Sequence, residues 1–519
     1  MKCKFYQVGH HGFNMIFWKY TMQKKISTDT RDIEIGDHYL ALIGEKFDGH
    51  NFITEALEKG AAMIYSSKDF KTLIEDINQQ IITENNKAND LNTKSEDQQK
   101  KISKLEASKN ILSENQNKLI IVKNTLEQYQ RLATEYRDTV NPLVIAITGS
   151  NGKTTTKEML AAVLRDHFKI HYSDANFNNE IGVPKTILAM PEDTEILILE
   201  MGMRGLGQID LLSKIAKPNI CVITCIGSAH IELLGSKENI KKAKMEIINY
   251  IQDYKFSDFT SSNSSGKNPS EKFLNLSKQK IQPASFIIDE NLYSDLEKND
   301  FINPNTCQRL SVKEILKFSS EEKFKLNVIT NQGIISDANA VYEAAKILGL
   351  DFYQTQSGLL NYQALGGRGS IYKDKHNNIY INDAYNASPE SLLLSVKGIL
   401  DKFIDHEILI IIGEILENEA ELIEKSVNEI QELCSDNPKS KLLDFRNISH
   451  ELRLEQFLKE LNLGIEADRS LEHISYKELE ILRSEASLIS SNTNLAPQEP
   501  YRIIYLKGSR GARLEDLLF

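Results

Sequence analysis

The chain has 519 residues, more than one hydrophobic core accommodates, so several domains are expected. Hydrophobic residues make up 41% and charged residues 26%, the balance of an ordinary soluble globular protein. A formal net charge of −11 argues against non-specific nucleic-acid binding as the main task, because neutralising phosphates needs a positive surface.

The five cysteines, Cys3, Cys221, Cys225, Cys307 and Cys434, are too sparse for a disulfide framework. They fit a reducing cytoplasm. Cys221 and Cys225 lie in PNICVITCIGS, which reads as a strand. Their even separation predicts one shared face and a buried structural pair, with no second Cys/His pair to complete a metal site. No apolar run reaches membrane-spanning length. GFNMIFW, near the start, is too short and too closely flanked by polar residues for a signal peptide. The expectation is a soluble, cytoplasmic protein.

Residues 27–66 mix short strand-like runs, HYLALIG and AAMIYS, with a helical stretch, FITEALEKGA. Residues 67–117 turn polar and read as a solvated insertion without chemistry. KLIIVKN at 118–124 resumes a strand, and LEQYQRLATEYRD reads as a helix. From 143 to about 250, VIAIT, TEILILEMG and NICVITCIG alternate with KEMLAAVLRDHF, IDLLSKIA and ENIKKAKMEIINYI. Buried strands alternating with helices imply a parallel sheet covered on both faces. Residues 255–285 form a Ser/Asn-rich loop, and SFIID returns to the sheet. ANAVYEAAKILGL at 338–350 reads as a helix and LGGRGS at 365–370 as a glycine-rich hinge. NIYINDAY, EILIIIGEI and YRIIYLKGS are three further strands, a second α/β unit.

Gly149-Ser150-Asn151-Gly152-Lys153-Thr154-Thr155 lies between an apolar strand and a helix. A strand, a glycine turn and a helix N-terminus together cradle phosphate. Lys153 is placed to reach the β- and γ-phosphates, and the Thr154 hydroxyl to hold Mg²⁺. Only two residues separate the glycines, where the ordinary P-loop has four. Glu200 stands at the C-terminal end of a buried strand, where ligands gather in open α/β sheets, and an oxygen donor there suits Mg²⁺. His230, in GSAHIELLGS, follows the next strand. On charge alone Lys244, in KKAKMEI, is an ordinary exposed helix lysine. INDAYNASPES puts Asp383, Tyr385 and Asn386 in a strand-to-helix turn with Pro389 at the helix start, as turn chemistry or a binding loop. YLKGSRGARLE clusters Lys507, Arg510 and Arg513 after a strand, either a carboxylate-binding group or an ordinary basic loop.

In sequence order, ITGSNGKTTTKEM, ANFNNEIGVPKTIL, LEMGMRGLGQI, GSAHIELLGS and AKMEI resemble the Mur ligases, the ATP-dependent amide-bond-forming enzymes of peptidoglycan synthesis. The two-residue glycine spacing is that family's. INDAYNASPES, LKGSRGARLE and the early STDTRDIEIGDHYLALIGEKFDGHNFITEALEKGA most resemble the member that adds D-alanyl-D-alanine to UDP-N-acetylmuramoyl-tripeptide.

The resemblance implies a three-domain α/β architecture. A UDP-sugar-binding domain would span 1–141, with the polar insertion at 67–117. A P-loop-type parallel-sheet ATPase domain would span 142–364, and a Rossmann-like domain receiving the dipeptide 365–519. It implies ATP and two Mg²⁺ as cofactors, and a monomer. Lys153 and Thr154 would hold phosphate and Mg²⁺. Glu200 and His230 would match a second magnesium site, and Lys244 a lysine carbamylated in many members. Asn178 and Asn179 would lie on the substrate side. Asp29, Thr30 and Arg31 resemble the Asp-Ser-Arg that helps take the UDP-sugar. Arg368 would reach ATP phosphate from the hinge, and Asp383, Tyr385 and Asn386 would face the nucleotide. Lys507, Ser509 and Arg510 would help receive the dipeptide.

Two segments depart from the family pattern. GIISDANA replaces a His-Asn pair, and Glu417-Asn418-Glu419 replaces Glu-Leu-Gly. The alternatives are a sister Mur ligase, a folylpolyglutamate-type ligase, or a silent Mur-like protein that binds the nucleotide sugar or a partner.

Overall fold

The computed structural model describes residues 25–44, 47–90, 96–174, 176–254, 284–294, 296, 314–374, 378–416, 418–447, 452–453, 456–457, 459, 472–474, 479, 502–509 and 514–517. The chain divides into two compact units: Met1–Val140 with Glu180–Met190, and Asn141–Asn179 with Pro191–Phe519.

The first unit holds a four-stranded parallel sheet in the order β1 (Ile26–Ser27), β2 (His38–Leu40), β3 (Met63–Ser66), β4 (Leu119–Ile121). Its helices are α1 (Ile53–Glu58), α2 (Phe70–Asp90), α3 (Glu96–Glu114), α4 (Thr125–Val140) and, from later in the chain, α6 (Gly182–Ala189). Successive strand residues point to opposite faces. Tyr39 and Ile64 pack with Ala56 and Leu57 of α1, while Leu40 and Tyr65 pack with Tyr129 and Leu132 of α4. Both faces of this small sheet are therefore covered.

The polar stretch 67–117 is not merely a solvated insertion. α2 and α3 pack on each other. Phe70, Leu73, Ile74 and Ile77 of α2, with Ile111 and Leu112 of α3, join the core. The spacing 70, 73, 74, 77 is an amphipathic stripe. The Gln- and Asn-rich sequence that follows dilutes it.

The second unit holds two six-stranded sheets. The first is all parallel, in the order β10 (Glu314–Phe318), β9 (Ser285–Asp289), β8 (Ile220–Ile223), β5 (Leu143–Thr148), β7 (Ile196–Glu200), β6 (Ile170–Tyr172). Its helices are α5 (Lys153–Leu164), α7 (Gln208–Ala216), α8 (Ile231–Leu234), α9 (Lys237–Met245), α10 (Glu290–Ser294), α11 (Gln332–Ile347) and α12 (Phe352–Leu360). β5 lies between β8 and β7, so the strand order switches at its C-terminal end, where open α/β sheets bind ligands. The second sheet runs β14 (Ser440–Asp444), β13 (Ile408–Ile412), β16 (Ile503–Lys507), β12 (Ile379–Asp383), β11 (Ser370–Lys373), β15 (Glu472–Ile474). Here β11 is antiparallel to both neighbours. α13 (Pro389–Lys402) and α14 (Ala420–Asp436) pack against each other beside it.

Two further expectations change. β8 ends at Ile223, so Cys225 does not share its face with Cys221: Cys221 is buried in the strand and Cys225 lies beyond it. Helix α11 begins at Gln332, capped by the Asn331 side chain accepting from the Ile334 N–H at 3.0 Å, so GIISDANA is helical. No described helix is long and apolar enough to cross a membrane. The Ser/Asn-rich stretch at 255–283, Cys3, Cys307, Arg510 and Arg513 lie outside the described residues.

Candidate active site

β5 is buried along its whole length and delivers the 149–154 turn to the switch point. Neighbouring backbone staples the turn down. The Ser150 N–H donates to the Cys225 carbonyl at 2.9 Å, the Gly227 N–H to Ser150 Oγ at 2.8 Å, and the Asn151 N–H to Cys225 Sγ at 3.3 Å. The Thr224 hydroxyl donates to the Asn151 carbonyl. Gly152 sits at φ 81°, and a Cβ there would run into the Asp337 carboxylate. This residue is the N-cap of α5 and provides no side-chain cap. The first N–H groups of the helix are thereby left for an anion, which the helix dipole also favours.

Lys153 opens α5. Its ammonium donates to the Gly149 carbonyl at 2.8 Å and the Ser150 carbonyl at 3.4 Å. Burial lowers its pKa, and a phosphate in the turn would compete for the same donors. The Thr154 hydroxyl donates to Glu200 Oε2 at 2.8 Å, and Asn178 Nδ2 donates to Glu200 Oε1 at 2.8 Å. Thr154 and Glu200 are both buried. A hydroxyl beside a carboxylate is a hard-oxygen donor pair, and it fits Mg²⁺, which keeps water and phosphate as its remaining ligands. Among the described residues there is no group of three His, Cys, Asp or Glu able to hold a metal by itself. Asn179 is exposed.

His230 is half-buried and adopts φ 68° at the start of the four-residue helix α8. For a non-glycine residue that conformation is uncommon and is found at functional sites. Lys244 is not the surface lysine that charge alone predicted. It is 2% exposed. Burial first, then the Lys153 charge, push its ammonium well below the ordinary lysine range. Losing its proton is thereby made easier than for an exposed lysine.

Asp337 was not singled out from the sequence. It is buried on α11 against Gly152, and burial raises its pKa to about 8 despite the Thr156 hydroxyl and the nearby Arg368 and Lys153. Only the packing of α11 on α5 brings it there. Arg368 lies over the Tyr385 ring at 4.0 Å, and the Tyr385 N–H donates to the Gly367 carbonyl at 2.9 Å. The glycine-rich segment and the Asp383–Asn386 turn are therefore one assembly. Asn386 is exposed, with its Oδ1 accepting from the Ala387 N–H at 3.0 Å. Asp383 faces its register partner Lys507. Its Oδ2 accepts from Lys507 Nζ at 2.7 Å and from the Tyr505 hydroxyl at 2.8 Å. Ser509 is buried, its Oγ accepting from the Leu416 N–H at 3.0 Å.

In the first unit, Asp29 caps the 3-10 turn Thr30–Asp32. The Arg31 guanidinium, hydrogen-bonded to it, holds its carboxyl down at about 2. Thr30 is buried, and its carbonyl accepts from Lys59 Nζ at 2.8 Å. Arg31 projects into solvent.

The family model described as the Mur ligase family, catalytic domain, matches residues 24–137, and the Mur ligase middle domain matches 147–334. The chain is 30% identical over 380 residues to the UDP-N-acetylmuramoyl-tripeptide–D-alanyl-D-alanine ligase of Bacillus subtilis (strain 168), covering 73% of this chain and 71% of that one. It is 32% identical to the ligase of the same name from a Synechocystis species, over 72% of this chain and 68% of that one. Among solved structures it resembles MurF from Acinetobacter baumannii, with TM-score 0.62, 19% identity and 96% of each chain covered. MurF ligase from Thermotoga maritima in complex with ADP gives TM-score 0.62 and 21% identity, covering 96% of this chain and 97% of that one. The phosphate turn with its two-residue spacing, the Thr154–Glu200 pair and this extent of identity agree with one another, and the chain belongs to the Mur ligase family.

Proposed function

We propose that this chain is an ATP-dependent ligase that joins D-alanyl-D-alanine to UDP-N-acetylmuramoyl-tripeptide, forming the pentapeptide precursor of peptidoglycan. The observation that carries the reading is the buried Thr154–Glu200 pair beside Lys153 and an uncapped helix N-terminus. It stands in a chain that shares 30% identity with a ligase of that name over most of both lengths.

A carboxylate and an amine do not condense in water without activation. The terminal carboxylate oxygen of the tripeptide attacks the γ-phosphorus of ATP, and ADP leaves. The dipeptide amine then attacks the acyl carbon of the acyl phosphate. Phosphate leaves with the bonding pair, and the amine releases a proton. The protein contributes positioning and charge neutralisation. Gly149 to Thr155 take the phosphates, and Lys153 and Arg368 offset their charge. Thr154 and Glu200, with His230 and Lys244, would hold Mg²⁺, two ions in this reading, and the metal would supply Lewis-acid stabilisation of the transferring phosphoryl group. The lowered pKa of Lys244 suits carbamylation by CO₂, which would give it a carboxylate head.

Asp383, Tyr385 and Asn386 face the nucleotide, and Lys507, Ser509 and Arg510 the dipeptide. Asp29, Thr30 and Arg31 take the UDP-sugar, and Asn178 and Asn179 lie on the substrate side. We assign the domains to 1–141, 142–364 and 365–519, each carrying one of the three sheets, and the protein to the cytoplasm as a monomer.

The test is phosphate release from ATP with Mg²⁺ and UDP-N-acetylmuramoyl-tripeptide, with and without D-alanyl-D-alanine. Dipeptide-dependent release, with a pentapeptide product by mass, supports the proposal. Turnover that ignores the dipeptide overturns it.

A further inference from the structure

The turn that carries His230 is held from two sides. From within its own sheet, Ser150 Oγ accepts from the Gly227 N–H at 2.8 Å. From the other sheet's α13, the Glu390 carboxylate accepts twice from the next residue: Oε1 from the Ser228 N–H at 2.9 Å and Oε2 from the Ser228 hydroxyl at 2.8 Å. Asn418 Oδ1 lies 3.2 Å from the same hydroxyl. One residue before Pro389, Ser388 Oγ accepts from Asn151 Nδ2 of the phosphate turn at 3.0 Å. Ser228, Ser388 and Asn418 are all buried. Glu390 also stands in the first turn of α13, where the helix dipole favours a carboxylate, and the Ser228 carbonyl accepts from the Ile231 N–H at 2.9 Å. A carboxylate accepting both donors of one serine is a charge-assisted, two-point contact.

We propose that Glu390 is a positioning residue for the ligase reaction: it clamps Ser228 and so sets the turn that presents His230 only when α13 is docked on the phosphate turn. The inference rests on the ligase reading above. Its physical sense is that the ATP site is completed from the sheet carrying the dipeptide residues. Phosphoryl transfer is then coupled to docking of that part of the chain, and the acyl phosphate is not made while water has access. Glu390 acts through Ser228 and the backbone to His230, and it need not touch substrate.

The test uses the full-length protein and the variants E390A, E390Q, S228A and E390A/S228A. E390A is expected to lower kcat about 10- to 100-fold, the loss for hydrogen bonds to a charged group. KM for UDP-N-acetylmuramoyl-tripeptide should stay within about twofold, because Glu390 is not among the residues assigned to that ligand. E390Q, which keeps an acceptor for the Ser228 N–H, should recover most of the loss. The double variant should be no worse than E390A, since both substitutions remove one contact. Amide exchange at Ser228 to His230 should accelerate in E390A. Wild-type kcat in E390A, additive losses in the double variant, or a loss spread equally over all substrates with a lowered Tm would each overturn the proposal. If the wild type shows no dipeptide-dependent turnover, the ligase reading has failed. The exchange measurement then decides alone: unchanged protection at Ser228 in E390A overturns the clamp, and accelerated exchange supports it.

Discussion

Lys507 on β16 and Asp383 on β12 are register partners, and their side chains form an ion pair at 2.7 Å with the ammonium almost fully buried. The turn assigned to the nucleotide and the strand end assigned to the dipeptide thus share one charge pair. Removing one member leaves the other poorly solvated, a loss of about 3 kcal/mol for a buried pair. K507A is expected to lower unfolding stability by that order in urea titration, and to raise KM for both ATP and the dipeptide. K507M/D383N, which removes both charges, should recover much of the stability and none of the activity.

The Thr154 hydroxyl bonded to Glu200 makes a second prediction. T154A removes one hard-oxygen donor and leaves the backbone of α5 intact. The Mg²⁺ concentration for half-maximal turnover should rise about tenfold or more, with unfolding stability changed by less than about 2 kcal/mol. K153A should abolish turnover. A Mg²⁺ response unchanged in T154A would remove this residue from the metal site.

Asp337 carries a pH dependence. Its folded pKa of about 8 lies above its ordinary value of 3.8, so the folded chain holds the proton longer than the unfolded one. Its contribution to stability is present below pH 4 and is lost as pH rises toward 8. D337N should flatten that slope, and chemical denaturation at pH 5, 7 and 9 would read it. A slope identical to wild type would place the titration elsewhere. G152A, at φ 81° and against this carboxylate, should lose nucleotide binding by calorimetry even where it folds.

Lys244 makes the last prediction. Burial and the Lys153 charge push its pKa well below the ordinary lysine range, which favours the neutral amine, the form that reacts with CO₂. Enzyme stripped of CO₂ at mildly acidic pH should lose activity and regain it on adding bicarbonate. ¹³C-bicarbonate should give a carbamate carbonyl resonance in wild type and none in K244A. Full activity in rigorously degassed buffer would sink the carbamate.

The periodic parts of the fold were legible in the sequence. VIAIT, TEILILEMG and NICVITCIG are strands because their apolar runs end at glycine or polar turns, and β5, β7 and β8 form there. The short or polar strands β6, β14 and β15 were not read, because each takes its place from neighbours rather than from its own pattern. α2 was obscured by its polar second half, although the stripe at Phe70, Leu73, Ile74 and Ile77 was present. The start of α11 was missed because Gly333 and two isoleucines are weak helix formers, and tertiary packing outweighs them.

The local chemistry is written in the sequence: a strand, a glycine turn with Lys153 and Thr154, and a helix start, in an order that resembles one family. Those features depend on residues adjacent in the chain, whose backbone conformations and periodicities are local. Long-range packing alone buries Lys244 and lowers its pKa, sets Asp337 against Gly152, pairs Asp383 with Lys507, and brings Glu390 onto Ser228 from 162 positions away. A lysine or a glutamate carries no sign in sequence of whether water will surround it. Desolvation and charge pairing depend on what the fold packs against the group, and those neighbours come from distant parts of the chain.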